Sequence, residues 1–353
     1  MLRQDVVGFL DALFPPALAE EWDRSGLQVG PLGAQCRRVL VALNLRLDLA
    51  RELEGTDLVV THHPLLFCPL DRVLPDTPLG AKLQALLHAR TACYAVHTPY
   101  DVAQGGLGEV LACLLELADP RPLSPRGRLV KLAVFVPLGH VEAVAEAVFS
   151  AGAGEIGRYG HCSFRTPGTG TFLPRDGAHP HLGQVGREER ANEVRLETTV
   201  PAERISAVLA AMRGTHPYEK VAYDVYGLDI AAPLHGLGRV GDLRQPASAS
   251  TLARAFARCL GIGGPTGSYG DADRTVRRVA VCGGSGGNLW EEALAAGATL
   301  FLTGEVGYHA GLAAGESGLT LVAFGHEETE RPFVPHVAKL IRERFPELTV
   351  EER

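Results

Sequence analysis

Apolar residues in this chain come in short blocks whose spacing alternates between strand-like and helix-like. Segment 37–63, RRVLVALNLRLDLARELEGTDLVVTHH, opens on a continuous apolar run, continues through Leu47, Leu49, Ala50 and Leu53, and closes on a second run from Leu58 to Thr61. That pattern predicts a strand, a helix and a strand, a β-α-β unit. Segment 277–305, RRVAVCGGSGGNLWEEALAAGATLFLTGE, has the same order at nearly the same spacing, and its second strand also ends on a threonine, Thr303. Each unit is followed by a helix-like stretch, a strand and a polar turn, in ACYAVHTPYD at 92–101 and TLVAFGHEETE at 320–330. One turn contains His97-x-x-x-Asp101 and the other His326-x-x-x-Glu330. The chain therefore reads as an α/β protein with two related halves, 1–126 and 233–353, that together make one domain.

The stretch between the halves has another character. KLAVFVP predicts a strand, VEAVAEAVFSAGAG a helix ending in glycines, NEVRLETTVP a strand, ERISAVLAAMRG a helix and YEKVAYDVYGL a final strand. Residues 166–190, rich in Gly, Pro, His and Arg, read as hairpin or loop. This is the order of a ferredoxin-like α+β domain, and it makes residues 127–232 an insertion, with Pro120, Pro122, Pro125 and Pro233 at its edges.

With 353 residues, 46% of them hydrophobic, the chain has enough apolar material for two or three domain cores. The formal net charge of −7 does not suit a nucleic-acid partner, and the insertion, with 11 Lys and Arg against 12 Asp and Glu, has no basic excess either. Seven cysteines, an odd number without a C-x-x-C pair, argue against a disulfide framework or a zinc knuckle. Asp11 interrupts the apolar N-terminal stretch and acids follow, so neither a signal peptide nor a membrane anchor is expected there, and a cytoplasmic location is. Partners are expected to be a small molecule, as substrate or effector, and copies of the chain, with no membrane partner.

The chemistry gathers at the carboxyl ends of the predicted parallel strands, where ligands of α/β sheets collect. His62 and His63 follow LVVT. Neighbouring side chains there diverge, so each suits one of a pair of nearby ions. Asp101 and Glu330 supply oxygen, His326 a further imidazole, and a carboxylate can bridge two cations. Imidazole and carboxylate without thiolate suit Zn, Fe, Mn, Co or Ni as divalent ions without choosing among them. His97 reads either as a further ligand or as a group that orients Asp101. Glu305 and His309, in TGEVGYH, are candidates for general base or proton shuttle, or else a capping Glu and an exposed His. CGGSGGN at 282–288 reads as an anion cradle at a helix start or as a tight turn; Ser285 within it is not read as a nucleophile. Asp23 reads as a turn residue with Trp22 as an apolar anchor. His161, His179, His181 and His216 in the insertion are scattered among turns and read as solvated.

EWDRSGLQVG, TDLVVTHHPLLF, YAVHTPYDVAQGGLGEVLA, HGLGRVGDL, VAVCGGSGG, LFLTGEVGYH and AFGHEETE, in this order, resemble the dinuclear-metal-centre hexameric protein family, related to yeast NGG-one-interacting factor three and often named GTP cyclohydrolase I type II homologues. The resemblance covers both halves, and the middle segment is similar to the CutA/PII-like domain inserted in long bacterial members. It implies a homohexamer with metal pairs facing an internal cavity, and it places the ligands on His62, His63, Asp101, His326 and Glu330. Asn44 stands where many members have Asp, and Arg24 where many have Asn. Two functions are expected from these residues. One is a metal-dependent hydrolase acting on a nucleotide, a pterin or a related phosphorylated or cyclic-amide substrate. The other is non-catalytic metal storage, delivery or sensing, with the inserted domain binding an effector.

Overall fold

The structure, a computed structural model, describes residues 1–157 and 159–353, and the side chains of all of these but 231–234. The chain separates into two compact units: Met1–Arg126 with Leu234–Arg353, and Gly127–Pro233.

The first half of the larger unit runs α1 (Arg3–Leu13), β1 (Gly26–Val29), β2 (Arg38–Ala42), α2 (Leu47–Ala50), β3 (Leu58–Thr61), α3 (Pro78–Ala89), β4 (Ala92–Ala95), α4 (Thr98–Val102), α5 (Leu107–Leu114) and the start of β5 (Ala118–Pro137). The smaller unit continues β5 through α6 (Val141–Ser150), β6 (Ser163–Phe172), β7 (Glu189–Pro201) and α7 (Ile205–Thr215) into β8 (Tyr223–Ser248). The second half follows as α8 (Ala249–Cys259), β9 (Gly267–Tyr269), β10 (Thr275–Cys282), α9 (Trp290–Ala295), β11 (Leu300–Thr303), α10 (Tyr308–Glu316), β12 (Thr320–Ala323), α11 (His326–Glu330), α12 (Phe333–Arg344) and β13 (Thr349–Glu352). Among the described residues no helix is long and apolar enough to cross a membrane.

The halves repeat each other in topology. In one sheet β2, β3 and β4 are parallel, with β1 antiparallel beside β4; in the other β10, β11 and β12 are parallel, with β9 antiparallel beside β12. They also exchange parts. The C-terminal strand β13 leaves the second half and pairs parallel with β2 of the first, while α5 packs on β10 and α12 on β2. The central strands are apolar on both faces, as parallel strands covered by helices must be. Val39, Val41, Leu58 and Val60 share one core with Val279, Val281, Leu300 and Leu302 and with helices α1, α5, α8 and α12. The opposite faces meet α2 and α3 through Leu40 and Val59, or α9 and α10 through Ala280 and Phe301. Helix α12 shows why this layer is helical: Phe333, Val334, Val337, Ala338 and Ile341 are buried along one stripe.

In the smaller unit the elements follow the order β-α-β-β-α-β, with neighbouring strands β6-β7-β5-β8. Leu132, Val134, Val136, Val194 and Leu196 face α6 and α7. Two elements differ from the sequence expectation. The helix expected through Leu53 ends at Ala50, because Leu53 enters the core from the loop that turns into β3. The last strand of the smaller unit starts at Tyr223 rather than at Tyr218, since His216 and Tyr218 are held in a turn by their own hydrogen bond. Within 166–190, the expected hairpin or loop is a hairpin: β6 runs to Phe172, β7 begins at Glu189, and the two pair antiparallel.

Candidate metal centre

The two parallel strand ends that close the first half present His62 and His63 beyond β3, and His97 beyond β4. Backbone bonds carry the ladder past the strands, from His62 N to Ala42 O, His63 N to Leu43 O and His97 N to His62 O, so these residues are as fixed as the sheet. The second half brings α11, whose first and last residues are His326 and Glu330. Glu330 sits among the imidazoles. Its Oε1 lies 3.1 Å from His326 Nε2 and 3.7 Å from His62 Nε2, its Oε2 lies 3.1 Å from His63 Nε2, and Asp101 Oδ1 is 3.6 Å from His62 Nε2. Donor atoms of His62, His63 and Glu330 all lie within 4.8 Å of one another, a grouping able to hold a metal ion.

Hydrogen bonds on the far side of each ring aim these donors. His63 Nδ1 donates to Asn44 Oδ1 at 3.0 Å, which leaves Nε2 with its lone pair toward Glu330. His326 Nδ1 meets Glu305 Oε2 at 3.0 Å and Ser285 Oγ at 3.3 Å. Such partners fix ring orientation and raise ligand basicity. Replacing Asn44 by Asp makes the bond to His63 charge-assisted; the expected result is tighter divalent-metal binding by about tenfold in a competitive chelator titration, and a loss of about tenfold for Asn44→Ala.

The electrostatics suit a cation. His62 is fully buried, and neither ring nitrogen has a hydrogen-bond partner; Asp101 Oδ1 and Glu330 Oε2 are buried and without one as well. Burial, and then the charge of Glu330, push Asp101 well above the usual carboxylate range. Burial would also raise Glu330, but the three imidazoles around it, His326 foremost, outweigh it and hold Glu330 well below that range. Burial keeps His62 below its ordinary value and so neutral, the form in which imidazole binds metals. Orphaned buried donors of this kind are costly unless paired or coordinating. The residues present therefore fit divalent cations, with Glu330 placed to touch both His63 and His326.

Asp23, read from sequence as a turn residue, is a functional partner that sequence reasoning missed. Its Oδ1 lies 2.6 Å from His97 Nδ1, while Oδ2 accepts from Thr98 N at 3.2 Å and from Thr98 Oγ1. Burial opposes ionisation of Asp23, but the bonds from His97 and Thr98 prevail and set it at about 2. His97 thus bonds Asp23 through Nδ1, and its ring lies 5.4 Å from that of His62 and 5.5 Å from that of His63. Its backbone is also unusual, with φ 44° and ψ −130°, a conformation that costs a side-chain-bearing residue of order 1–3 kcal/mol. The corresponding N-cap of α11 is Gly325, with φ 103°, which adopts positive φ freely. The first half thus keeps a histidine where the second half uses glycine.

That equivalence corrects the repeat as read from spacing. The register aligns Ala95 with Ala323, because Thr61 pairs Ala95 and Thr303 pairs Ala323. His97 then corresponds to Gly325, His326 to Thr98 and Glu330 to Val102, so the two His-x-x-x-carboxylate turns are one residue out of step. Likewise His63 corresponds to Glu305.

Glu305 and His309 are not placed as a free base and shuttle. The bond from His326 holds Glu305 below the usual carboxylate range, and its Oε2 also accepts from Ser285 Oγ at 3.1 Å, so Glu305 acts through His326. His309 is exposed on α10 with its ring against Tyr308. Residues 283–287 do have G-x-S-x-G spacing, yet Ser285 and Glu305 both meet His326 at Nδ1, which is not the relay of a catalytic triad. Two amides of this loop are already committed, Gly284 N to Thr329 Oγ1 and Gly287 N to Glu305 O. Its glycines make room: a Cβ on Gly284 would lie 2.2 Å from Glu330 Oε1. In the smaller unit, His216 uses both ring nitrogens within the protein and His161 stacks on Phe149.

A cavity of about 340 Å³ opens beside the centre, lined by His97, Asp101, His326 and Glu330 with Trp22 and Leu237 among its apolar walls.

Comparison with known proteins shows the family of the chain. The family model for Duf34/NIF3 (NGG1p interacting factor 3) matches residues 1–352. A Bacillus subtilis protein named GTP cyclohydrolase 1 type 2 homolog is 40% identical over 328 residues, 92% of this chain and 87% of that protein. A Mycobacterium leprae protein of the same name is 37% identical over 346 residues, 97% and 90% of the two chains. Among solved structures, a Bacillus cereus protein related to NIF3 is 36% identical and superposes with a TM-score of 0.86, covering 99% of this chain and 96% of that one. Staphylococcus aureus SA1388, 23% identical with a TM-score of 0.75 over 99% and 95% of the two chains, shares the fold. This chain belongs to the Duf34/NIF3 family.

Proposed function

We propose that the larger unit holds a pair of divalent cations and uses them to hydrolyse a small substrate, a nucleotide, a pterin or a related phosphorylated or cyclic-amide compound. The observation that carries this reading is Glu330, buried among three imidazoles with its oxygens directed to different ones. His62 and Asp101 would hold one ion, His63 and His326 the other, with Glu330 between. When bound, such ions acidify water and polarise a carbonyl or phosphoryl oxygen. Zn, Fe, Mn, Co and Ni all suit these donors.

The residues around the centre define the protein's share of the work. His97 lines the cavity, is held by Asp23, and occupies a strained position that glycine fills in the other half; in this reading it moves the proton, the role the sequence suggested for Glu305 or His309. Leu237, Leu289 and Trp22 wall the cavity and limit water beside the substrate. A volume of about 340 Å³ is in the range of small-molecule sites. The name of the curated relatives favours a nucleotide-type ring as substrate. Family resemblance further supports six copies in a ring and a CutA/PII-like assignment for the smaller unit, and the acids within the N-terminal stretch favour a cytoplasmic location.

The test is a screen of metal-loaded protein against nucleotides and pterins. Turnover of at least one compound is expected, abolished in Glu330→Gln and reduced about 100-fold or more in His97→Gln. Protein that retains its metals yet turns over nothing, or a His97→Gln variant of unchanged kcat, would sink the hydrolytic reading and leave metal storage or sensing.

A further inference from the structure

The smaller unit has a cavity of its own. Phe135 and Glu193 alternate along β5 and β7 with residues that face α6 and α7, so they point to the opposite, helix-free face of the sheet. There a cavity of about 430 Å³ has Phe135, Phe172, Leu173, Pro174, Pro180 and Leu182 as apolar walls and is also lined by Glu193, Tyr218, Glu219, His181, Arg175 and Lys220.

Glu193 is the anomaly. Its side chain is only 7% exposed, and among the described residues its one hydrogen bond comes from Tyr218, whose hydroxyl donates to Oε1 at 2.9 Å. Tyr218 is itself positioned. His216 Nδ1 accepts from Tyr218 N at 3.1 Å, and His216 Nε2 donates to Phe135 O at 3.0 Å. Burial, then the bond and charge of Glu193, raise the Tyr218 hydroxyl above its usual range, so it remains a donor. Glu193 Oε2 takes no bond from the described residues and lies against Gly170, where a Cβ would come within 2.2 Å of it. A carboxylate buried with one neutral donor is poorly compensated. A cation bearing N–H groups would supply the missing partner, and the apolar walls would cover its body.

We infer that this cavity binds a small organic cation, an amine or amidinium carried on an apolar ring-sized body, with Glu193 as its counter-ion. The ligand class follows from the buried carboxylate, its unused oxygen and the aromatic and proline walls. The site is built from residues of the smaller unit alone and does not depend on the hydrolytic reading.

Calorimetric titration of the full chain with benzamidine and with phenethylamine tests it, with neutral benzamide and anionic benzoate as controls. Benzamidine or phenethylamine is expected to bind saturably, and Glu193→Gln to weaken that binding at least about tenfold with metal content unchanged. Gly170→Ala, which pushes on the carboxylate without removing it, is expected to weaken binding as well, so the result does not hang on one variant. Absence of saturable binding by both cations, equal binding of benzamide, or affinity unchanged in both variants would overturn the assignment.

Discussion

Replacing Glu330 by glutamine is expected to empty the metal centre. The substitution keeps size and shape but removes the charge that lies against His63 Nε2 and His326 Nε2, each at 3.1 Å. In Glu330→Gln an amide nitrogen, which cannot ligate, takes one of the two oxygen positions, so one ion loses its carboxylate outright and the other keeps a neutral oxygen. Divalent-metal affinity should fall more than about 100-fold, beyond the 10–100-fold that loss of a supporting residue costs. Elemental analysis of protein loaded in parallel should find the pair in the unchanged chain and less than one ion per chain in the variant. Thermal unfolding gives an independent readout, since an ion held at about 100 times its Kd adds about 2.7 kcal/mol. Added metal should raise the midpoint by several degrees in the unchanged chain and leave Glu330→Gln where it was. Equal metal content in the two proteins would dismiss the donor set.

The second large effect is expected at Arg239, which is fully buried. Its guanidinium donates to Glu109 Oε1 at 2.7 Å from Nε, to Gly236 O and Gly238 O at 2.6 Å from Nη1, and to Ala103 O at 3.4 Å from Nη2. Glu109 lies on α5 of the first half and Arg239 on β8, and Ala103 closes the turn that carries Asp101, so one side chain ties the halves together beside the centre. Arg239→Met keeps much of the volume but strands these acceptors. The expected cost is about 3 kcal/mol or more, read as a lower urea midpoint at unchanged slope. The double variant Arg239→Met with Glu109→Leu should recover little, because the three carbonyls still lack a donor; recovery to the original midpoint would mean that the ion pair alone matters. A single variant within about 0.5 kcal/mol of the original would place Arg239 among the surface-like substitutions.

Much of the fold was legible because its strands are short apolar runs with distinct flanks. Leu58–Thr61 was found to the residue and the matching strand of the second half by its end at Thr303, and the β-α-β order of both halves appeared in the spacing alone. The helices were less exact where the chain leaves regular structure to serve the core: Leu53 keeps helical spacing but packs from a loop. At the centre, residue type was a better guide than position. His62, His63, His326 and Glu330 converge, with Asp101 against His62, yet the matched His-x-x-x-carboxylate turns are one residue out of register. Spacing along a chain does not show which backbone group bonds which, and register is set by that pairing.

The partners behind the donor atoms were illegible for a related reason. Asn44 looked like a departure from the family pattern, Asp23 like a turn residue and Glu305 like a candidate base or a capping residue; each hydrogen-bonds a histidine at Nδ1. Asp23 and His97 are 74 positions apart, and no local pattern joins them. Glu193 carries the same lesson, since a glutamate within an alternating strand reads as solvent-facing until the loop after β6 covers it.

By itself the sequence determined the class of the protein: two α/β halves around an insertion, and imidazole and carboxylate gathered at strand ends, because hydrophobic period and donor type are local properties. Only the tertiary structure decided which carboxylate lies between the imidazoles, and which residues aim or brace them. Those are matters of distance and desolvation between segments far apart in the chain, and they exist only once the halves exchange β13 and pack α5 and α12 across one another.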